Sequence, residues 1–513
     1  MTDRSGGSPV VQVLLIVVLV VPALGAAVVA LLPRRFDRPA RVVATGFAAL
    51  TFVATLLLAL PSGRDFGWFA YSRAGVPALP WAEVKAAWVP ALTIDFHLGV
   101  DGISYPLVVL TGLLTLLCCG YTIWKVPAGG SGRTLAALLL VLEVGILGTF
   151  LALDLVLFFV FFEVVLLPMY AVIAGWGGEQ RRAAARKFVL YTLFGSVLLL
   201  LGIFTVVVAA GTGDMVALAG GLGLSRNAQY AAFVLFAVAF AVKAPLWPLH
   251  TWLPDAHTEA PTVGSVILAG VLLKMGTYGL IRVGVGVAPI GAAWAAPVLG
   301  VLAVAAIVVG SLVCLRQVEL KRLIAYSSVG HMGFVLLGIA TLTVTGVQAA
   351  LIGNVAHGVI TGLLFFLAGA IKDRAHTGLL ADLGGLRESA PRLAGLLGFA
   401  AIASLGLPGL AGFWGESFAV VAAVRRGGPL WITLAAVAAV GGALTAAYFL
   451  RLLRRVTQGP ATPVVLSLQP RLAGIEWAAW SPLVVLALAI GLVPALVLAA
   501  TAVPVAAITG VLR

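Results

Sequence analysis

Charge is scarce in this 513-residue sequence. Asp, Glu, Lys and Arg make up 10% of it, against 62% hydrophobic residues, and the mean hydropathy is +1.13. Soluble domains are about a quarter charged and half apolar, so this composition excludes a soluble globular protein and points to the membrane. Cysteine is nearly absent too. Cys118, Cys119 and Cys314 lie in apolar stretches without CxxC spacing or a nearby ligand cluster, which argues against an iron–sulfur or zinc site. There is no GxxxxGK[ST] phosphate loop and no strand–GxGxxG–helix context, so nothing here binds NADH or flavin. Any redox chemistry belongs to another chain.

What is present is long apolar runs. In lipid a segment must satisfy its own backbone polar groups, so runs such as Val11–Leu32 and Leu190–Ala210, which do not alternate, read as helices rather than barrel strands. The first run is expected to be a span rather than a cleaved leader, because Leu32-Pro33-Arg34-Arg35 follows it in place of a small-residue cleavage site. Runs long enough to cross a bilayer give fourteen spans. They lie at about 9–32, 40–60, 103–124, 134–153, 155–175, 187–211, 228–248, 262–284, 292–314, 321–341, 347–371, 392–424, 429–453 and 477–500. The fold class is therefore all-α and polytopic. Asp154 alone separates the fourth and fifth spans.

The loops test this count. The net charge of +13 would suggest nucleic acid in a soluble protein, but here most of the 32 Lys and Arg sit in loops after odd-numbered spans. Examples are Arg34, Arg35, Arg38 and Arg41, then Arg181, Arg182, Arg186 and Lys187, then Arg316, Lys321 and Arg322. Loops after even-numbered spans hold few, among them Lys85, Arg226 and Arg282. The positive-inside rule places the odd loops in the cytoplasm and both termini on the other side. The one long loop, Pro61–Asp101, falls on the non-cytoplasmic side, with Trp68, Tyr71, Trp81 and Trp88 suited to the membrane interface.

A charge at mid-membrane costs about 2.5–3.5 kcal/mol on insertion scales, so ionisable groups inside spans are functional candidates. Glu143 is in the fourth span, Glu163 in the fifth, Lys243 in the seventh, Lys274 in the eighth, His331 and His357 in the tenth and eleventh, and Glu416 in the twelfth. The competing reading is a set of ion pairs that only lock helices together. Two candidates sit beside helix breakers. Pro245 cannot donate to the carbonyl of Ala241, which interrupts the helix next to Lys243. LGLPGLAGFWGE, with Gly406, Pro408 and Gly409, does the same ahead of Glu416. Broken backbone at membrane depth is tolerated where it is buried in protein or lines a wet cavity.

Two interrupted helices five spans apart suggest an internal repeat, spans four to eight echoed by nine to thirteen, with the second copy inverted. The expected segments are 1–133 (helices 1–3 with the external loop), 134–284 (first repeat), 292–453 (second repeat) and 454–513 (helix 14). A buried lysine is a tunable proton site, since desolvation disfavours its charge and a carboxylate restores it. Glu163 is expected to act in this way on Lys243. Neutral-range histidines suit relays, which fits His331 and His357. His250 and His257, in HTWLPDAHTEAPT, do not have HExxH spacing and read as polar groups near a channel mouth.

FFEVVLLPMY, AFAVKAPLWPLHTWLPDAHTEAPTVGSVILAGVLLKMGTYGL and ELKRLIAYSSVGHMGF together resemble the antiporter-like membrane subunits of respiratory complex I, NADH:quinone oxidoreductase. The similarity runs from about Phe96 to Glu416, and the glutamate on the second broken helix is similar to the subunit M type. The resemblance implies fourteen helices and two inverted five-helix repeats. It implies a half-channel carboxylate at Glu163, a key lysine at Lys243 and a connecting lysine at Lys274. It also places His331 and His357 on a central polar axis and Glu416 as the exit-side acid. Phe162 stands where tryptophan is expected, and Glu143 receives no firm role. The sequence ends soon after the fourteenth span, leaving no room for the long lateral helix of subunit L. Further implications are no cofactor in this chain, FMN and iron–sulfur clusters in partner subunits, and hetero-oligomeric assembly with neighbouring antiporter-like subunits. The location implied is a bacterial inner membrane, with no nucleic acid partner. A multisubunit cation/proton antiporter or a membrane-bound hydrogenase shares these motifs and is the alternative.

Overall fold

The computed structural model describes residues 9–59, 80–90 and 94–510. Trp68, Tyr71 and the outermost terminal residues therefore lie outside the described residues. Helices α1 (Pro9–Leu31) and α2 (Asp37–Leu57) lead to strands β1 (Ala82–Val89) and β2 (Ile94–Val100). Next come α3 (Tyr105–Trp124), α4 (Gly132–Leu151), α5 (Leu155–Val164), α6 (Leu166–Trp176) and α7 (Arg181–Ala210). The middle of the chain holds α8 (Arg226–Lys243), α9 (Trp252–Glu259), α10 (Thr262–Ile267), α11 (Leu273–Gly279), α12 (Pro289–Arg316), α13 (Leu320–Ala340) and α14 (Val344–Ala375). The last are α15 (Leu386–Ser389), α16 (Pro391–Ser404), α17 (Gly412–Arg426), α18 (Gly428–Thr457), α19 (Pro463–Leu466), α20 (Gly474–Leu492) and α21 (Ala495–Gly510).

Among the described residues, 12 helices are long and apolar enough to cross a membrane, counting α5–α6 and the continuous run from α10 through α11 as one each. Spans 228–248 and 392–424 fall on shorter or less apolar pieces that lie outside these 12: α8 for the first, α16 and α17 for the second. The last span also differs. The α20 helix ends at Leu492 just before Pro494, and α21 continues past residue 500. Asp154 does separate α4 from α5, capping α5 by accepting from the amides of Val156 and Leu157 at 2.9 and 3.0 Å.

The interior and the periphery separate cleanly. Apolar stretches in Thr262–Val285, Leu320–Ala340 and Val344–Ala375 are each 94% buried, whereas those in Arg181–Ala210 and Gly428–Thr457 are 33% buried. The outer helices turn Leu190, Phe194, Leu201 and Val208 outward, as a lipid-facing or partner-facing surface does. The candidate proton residues on α11, α13 and α14 thus lie on the innermost helices.

The expectation of an all-helical chain is corrected by an antiparallel hairpin, with Ala82 opposite Val100 and Lys85 opposite His97. Trp81 is buried at its base, its indole donating to the Leu58 carbonyl at 2.9 Å, rather than lying at a lipid interface. Asp214 anchors the hairpin. Its Oδ2 lies 2.5 Å from Lys85 Nζ and 3.4 Å from His97 Nδ1, while His97 Nε2 lies 3.4 Å from Glu83. Burial opposes the charge on His97, but bonds to Asp214 and Glu83 outweigh it and lift the imidazolium to about 9. Burial likewise opposes the Asp214 charge, yet His97 and Lys85 hold that carboxyl well below the usual range. A raised histidine stabilises fully below its ordinary 6.5 and loses that contribution as pH climbs through about 9. The depressed Asp214 contributes above its ordinary 3.8 and loses it on acidification. His97→Gln is therefore expected to loosen the hairpin by about 1–3 kcal/mol at neutral pH. Proteolysis of the loop should show a gap from wild type that closes above about pH 9.

Candidate functional site

The first broken helix sets Lys243. The Ala241 carbonyl, which Pro245 cannot serve, accepts instead from the Leu246 amide at 2.9 Å. The Val242 carbonyl takes the Trp252 indole N–H at 2.9 Å. With its freed carbonyls satisfied in this way, α8 ends at Lys243 inside the protein, and the lysine is only 3% exposed. Its Nζ lies 4.5 Å from the centre of the Phe162 ring. Glu163, the next residue on α5, accepts a hydrogen bond from Ser196, and among the described residues it makes no ion pair with Lys243. Its charge nonetheless bears on the lysine through the intervening space. Glu143 on α4 is fully buried, and among the described residues neither of its carboxyl oxygens has a hydrogen-bond partner.

The centre is better connected. Lys274 is fully buried between two π-helical turns, Leu268–Leu272 and Leu280–Val285, and its ammonium donates to the Ala269 carbonyl. Such wide turns recur at functional sites because they release a carbonyl from the regular ladder. The same Nζ is 2.6 Å from His357 Nδ1. That contact needs α14 pressed against the π turn, and Gly358 permits it: a Cβ there would run into the Gly270 carbonyl. The ring of His357 is 5.6 Å from that of His331. His331 Nδ1 lies 2.5 Å from Glu416 Oε1, and its Nε2 lies 2.9 Å from Ser404 Oγ. Lys274 with His357 and His331 with Glu416 thus form two hydrogen-bonded pairs whose imidazole rings meet edge to face.

The second broken helix adjoins Glu416. Left-handed Gly406 (φ 74°) and Gly409 (φ 89°) turn the chain between α16 and α17, a conformation side chains with a Cβ rarely adopt. The turn brings Glu416, in the second turn of α17, against His331. A cavity of about 20 Å³ is lined by His331, His357, Thr361, Ser404 and Glu416, room for about one water molecule.

The sequence-derived set therefore divides. Lys274, His331, His357 and Glu416 are brought together, and Lys243 with Glu163 forms a separate group. His250 lies at the first break with its ring 6.1 Å from Tyr326, away from the two central pairs. His257 is buried deeper than a channel-mouth residue would be, stacked 4.4 Å from Phe365. Sequence reasoning passed over Ser404 and Asn354, the latter accepting from Thr277 at 2.9 Å. It also read Lys321 and Arg282 as loop charges. Lys321 is buried and Arg282 half-buried: Lys321 donates to the Ala260 carbonyl at 2.9 Å and Arg282 pairs with Asp101. The cue was their position in the first and last turns of apolar helices.

Known proteins are similar to this chain over most of its length. Residues 152–442 match the family described as NADH:quinone oxidoreductase/Mrp antiporter, TM. An NADH-quinone oxidoreductase subunit M from Rhodobacter capsulatus is 40% identical, over 95% of this chain and 94% of that protein. A chain in the structure of respiratory complex I from Thermus thermophilus with bound NADH superposes with a TM-score of 0.85. It is 30% identical and covers 98% of this chain and 100% of that one. A chain of the Mrp complex from Dietzia sp. superposes at 0.83 with 23% identity, over 99% and 100%, a likeness of fold alone.

Proposed function

The chain belongs to the NADH:quinone oxidoreductase/Mrp antiporter family, as an antiporter-like membrane subunit of the subunit M type from complex I, and on that premise we infer that it carries protons across the membrane. The observation that carries this reading is the pair of hydrogen-bonded contacts Lys274–His357 and His331–Glu416, whose imidazole rings meet edge to face at 5.6 Å beside a cavity of about one water, with a helix break at the Glu416 end. Each member can hold a proton and pass it on. Lys274 as ammonium yields a proton to neutral His357, His357 passes it through a water in the cavity that both rings line to His331, and His331 hands it to the Glu416 carboxylate. Lys243 and Glu163 form the loading group of the other half, and quinone reduction elsewhere in the complex drives the cycle. FMN and iron–sulfur clusters belong to the partner subunits.

A fourteen-span arrangement with inverted repeats belongs to the same proposal, and one correspondence supports it. Acidic N-caps Asp154 and Glu319 have nearly the same extended backbone, and each forms a lone antiparallel bridge, to Asp214 and Leu379 respectively. The first pair lies on the hairpin face and the second on the opposite, basic face, as an inverted copy requires. The basic face, where Lys125 and Asp373 pair at 2.8 Å, is placed in the cytoplasm by the positive-inside rule.

Gentle solubilisation of native membranes and capture of this chain tests the assembly. Peripheral flavin and iron–sulfur subunits with NADH:quinone reductase activity support the reading. A set of hydrophobic antiporter subunits without redox centres overturns it. Within the complex, Glu163→Gln is expected to lower NADH-driven proton uptake several-fold, measured as acidification of inverted vesicles. Uptake at the wild-type level would remove Glu163 from the loading group.

A further inference from the structure

Lys274 sits on a short piece of helix. The seven residues of α11, Leu273–Gly279, lie between the two π turns Leu268–Leu272 and Leu280–Val285, which are wound wider than the α-helix they interrupt. The rotation of so short a piece must be set from outside it. On one side Gly276 lies against the end of α8, where a Cβ would be 2.7 Å from the Ala244 amide nitrogen. On another, Thr277 donates at 2.9 Å to Asn354, one turn before His357 on α14. Neither contact holds the end of the run that follows Tyr278.

That end is held by a linkage of three side chains. Tyr278 is fully buried, and its hydroxyl donates to the Phe150 carbonyl near the end of α4 at 2.9 Å, with the two rings edge to face at 5.1 Å. Arg282, within the second π turn, donates through Nε to the Tyr278 oxygen at 3.3 Å and through Nη2 to Asp101 Oδ2. Asp101 is fixed in turn. It follows Val100 at the end of β2, and its Oδ1 accepts from the amides of Ile103 and Ser104 at 2.9 and 3.0 Å. The guanidinium fork suits this place because it presents donors in two directions at once, which an ammonium on one flexible stem does not. Among the described residues Arg282 makes no hydrogen bond to Lys274, His357, His331 or Glu416.

We propose that Arg282 is a positioning residue for proton transfer at Lys274: by joining Asp101 to Tyr278 it sets the rotation of α11 and so keeps the Lys274 ammonium against His357 Nδ1. The inference rests on the proton-carrier reading above. Transfer between Lys274 and His357 needs the two nitrogens within hydrogen-bond reach, and they are 2.6 Å apart. The ammonium is at the tip of a long side chain, far from the helix axis, so a small rotation of α11 moves it further than it moves the backbone. A functional group is held to its working geometry by the packing and hydrogen bonds behind it, and here that support is Tyr278 and Arg282. Arg282 carries no proton in this scheme, since a guanidinium keeps its own at working pH.

The test uses the intact complex in inverted vesicles, with NADH-driven proton uptake scaled to assembled complex counted on native gels. The thermal transition of each variant complex is recorded beside it. Arg282→Lys keeps a positive charge for Asp101 and loses the second arm to Tyr278. Tyr278→Phe keeps the ring on Phe150 and loses the hydroxyl. Each is expected to lower uptake per complex several-fold without shifting the transition. The double variant should be no worse than either alone, because both cut one linkage. An Arg282 that only balanced the charge of Asp101 would be replaced well by lysine. Wild-type uptake in Arg282→Lys, uptake that falls only as the transition falls, or losses that multiply in the double variant overturn the proposal. Should Arg282→Lys not assemble, Tyr278→Phe decides by uptake and transition together. Lys274→Ala is run beside them: if it pumps normally, the proton-carrier reading itself has failed, and if it alone is impaired, only the positioning role has.

Discussion

Lys243→Ala is expected to stop proton uptake by the assembled complex, with a fall on the order of tenfold or more, about 1.4 kcal/mol of barrier for each decade. The lysine is 3% exposed, at the C-terminal end of a helix whose next turn is cancelled by Pro245. The negative end of the helix dipole and the Phe162 ring both favour the ammonium, while burial disfavours it. A group so balanced changes protonation when a nearby charge changes, and Glu163 supplies one. Alanine removes the carrier. Lys243→Arg should fail almost as completely, because a guanidinium keeps its proton at every working pH. Vesicle acidification on NADH addition measures both. Arginine restoring full uptake would make the position a fixed charge and not a carrier.

The largest structural effect is expected at Glu476. This residue is fully buried at the start of α20 and receives two hydrogen bonds from Arg374 on α14, at 2.8 and 2.7 Å. It also accepts from the Ala473 amide at 2.8 Å. Glu476→Ala strands a nearly buried guanidinium and uncaps the helix, and breaking such a pair costs about 3–5 kcal/mol. The expected result is loss of the chain from the complex on native gels, together with a lower thermal transition. Replacing both partners by Leu should recover much of the loss, since no charge is then left unpaired. Lys125–Asp373, also an ion pair at 2.8 Å, has both side chains more than one-third exposed, and breaking it should cost under about 1 kcal/mol. Equal effects at the two pairs would refute the argument from burial.

Much of this was legible without coordinates. Pro245 marked the end of α8, Gly406 and Gly409 marked the turn before Glu416, and Asp154 marked the boundary of α5. Each acts through its own backbone or the next few residues, so its effect is written locally. The hairpin was not legible. Its strands lie in a polar, aromatic-containing loop and are held by Asp214, more than a hundred residues away. Lys321 and Arg282 were misassigned to loops because their placement depends on partners far away in the sequence, Ala260 and Asp101.

The sequence by itself determined that this chain lives in lipid, where its helices run, where two of them break and which ionisable residues lie within them. Those properties follow from hydropathy, missing amide protons and the desolvation cost of charge, all fixed by residue type and near neighbours. Tertiary structure alone decided that Lys274 meets His357, that His331 meets Glu416, and that Lys243 meets an aromatic ring instead of Glu163. The physical reason is that proton transfer requires contact at hydrogen-bond distance, and helices far apart in sequence reach it only where small residues and π turns let their backbones close together.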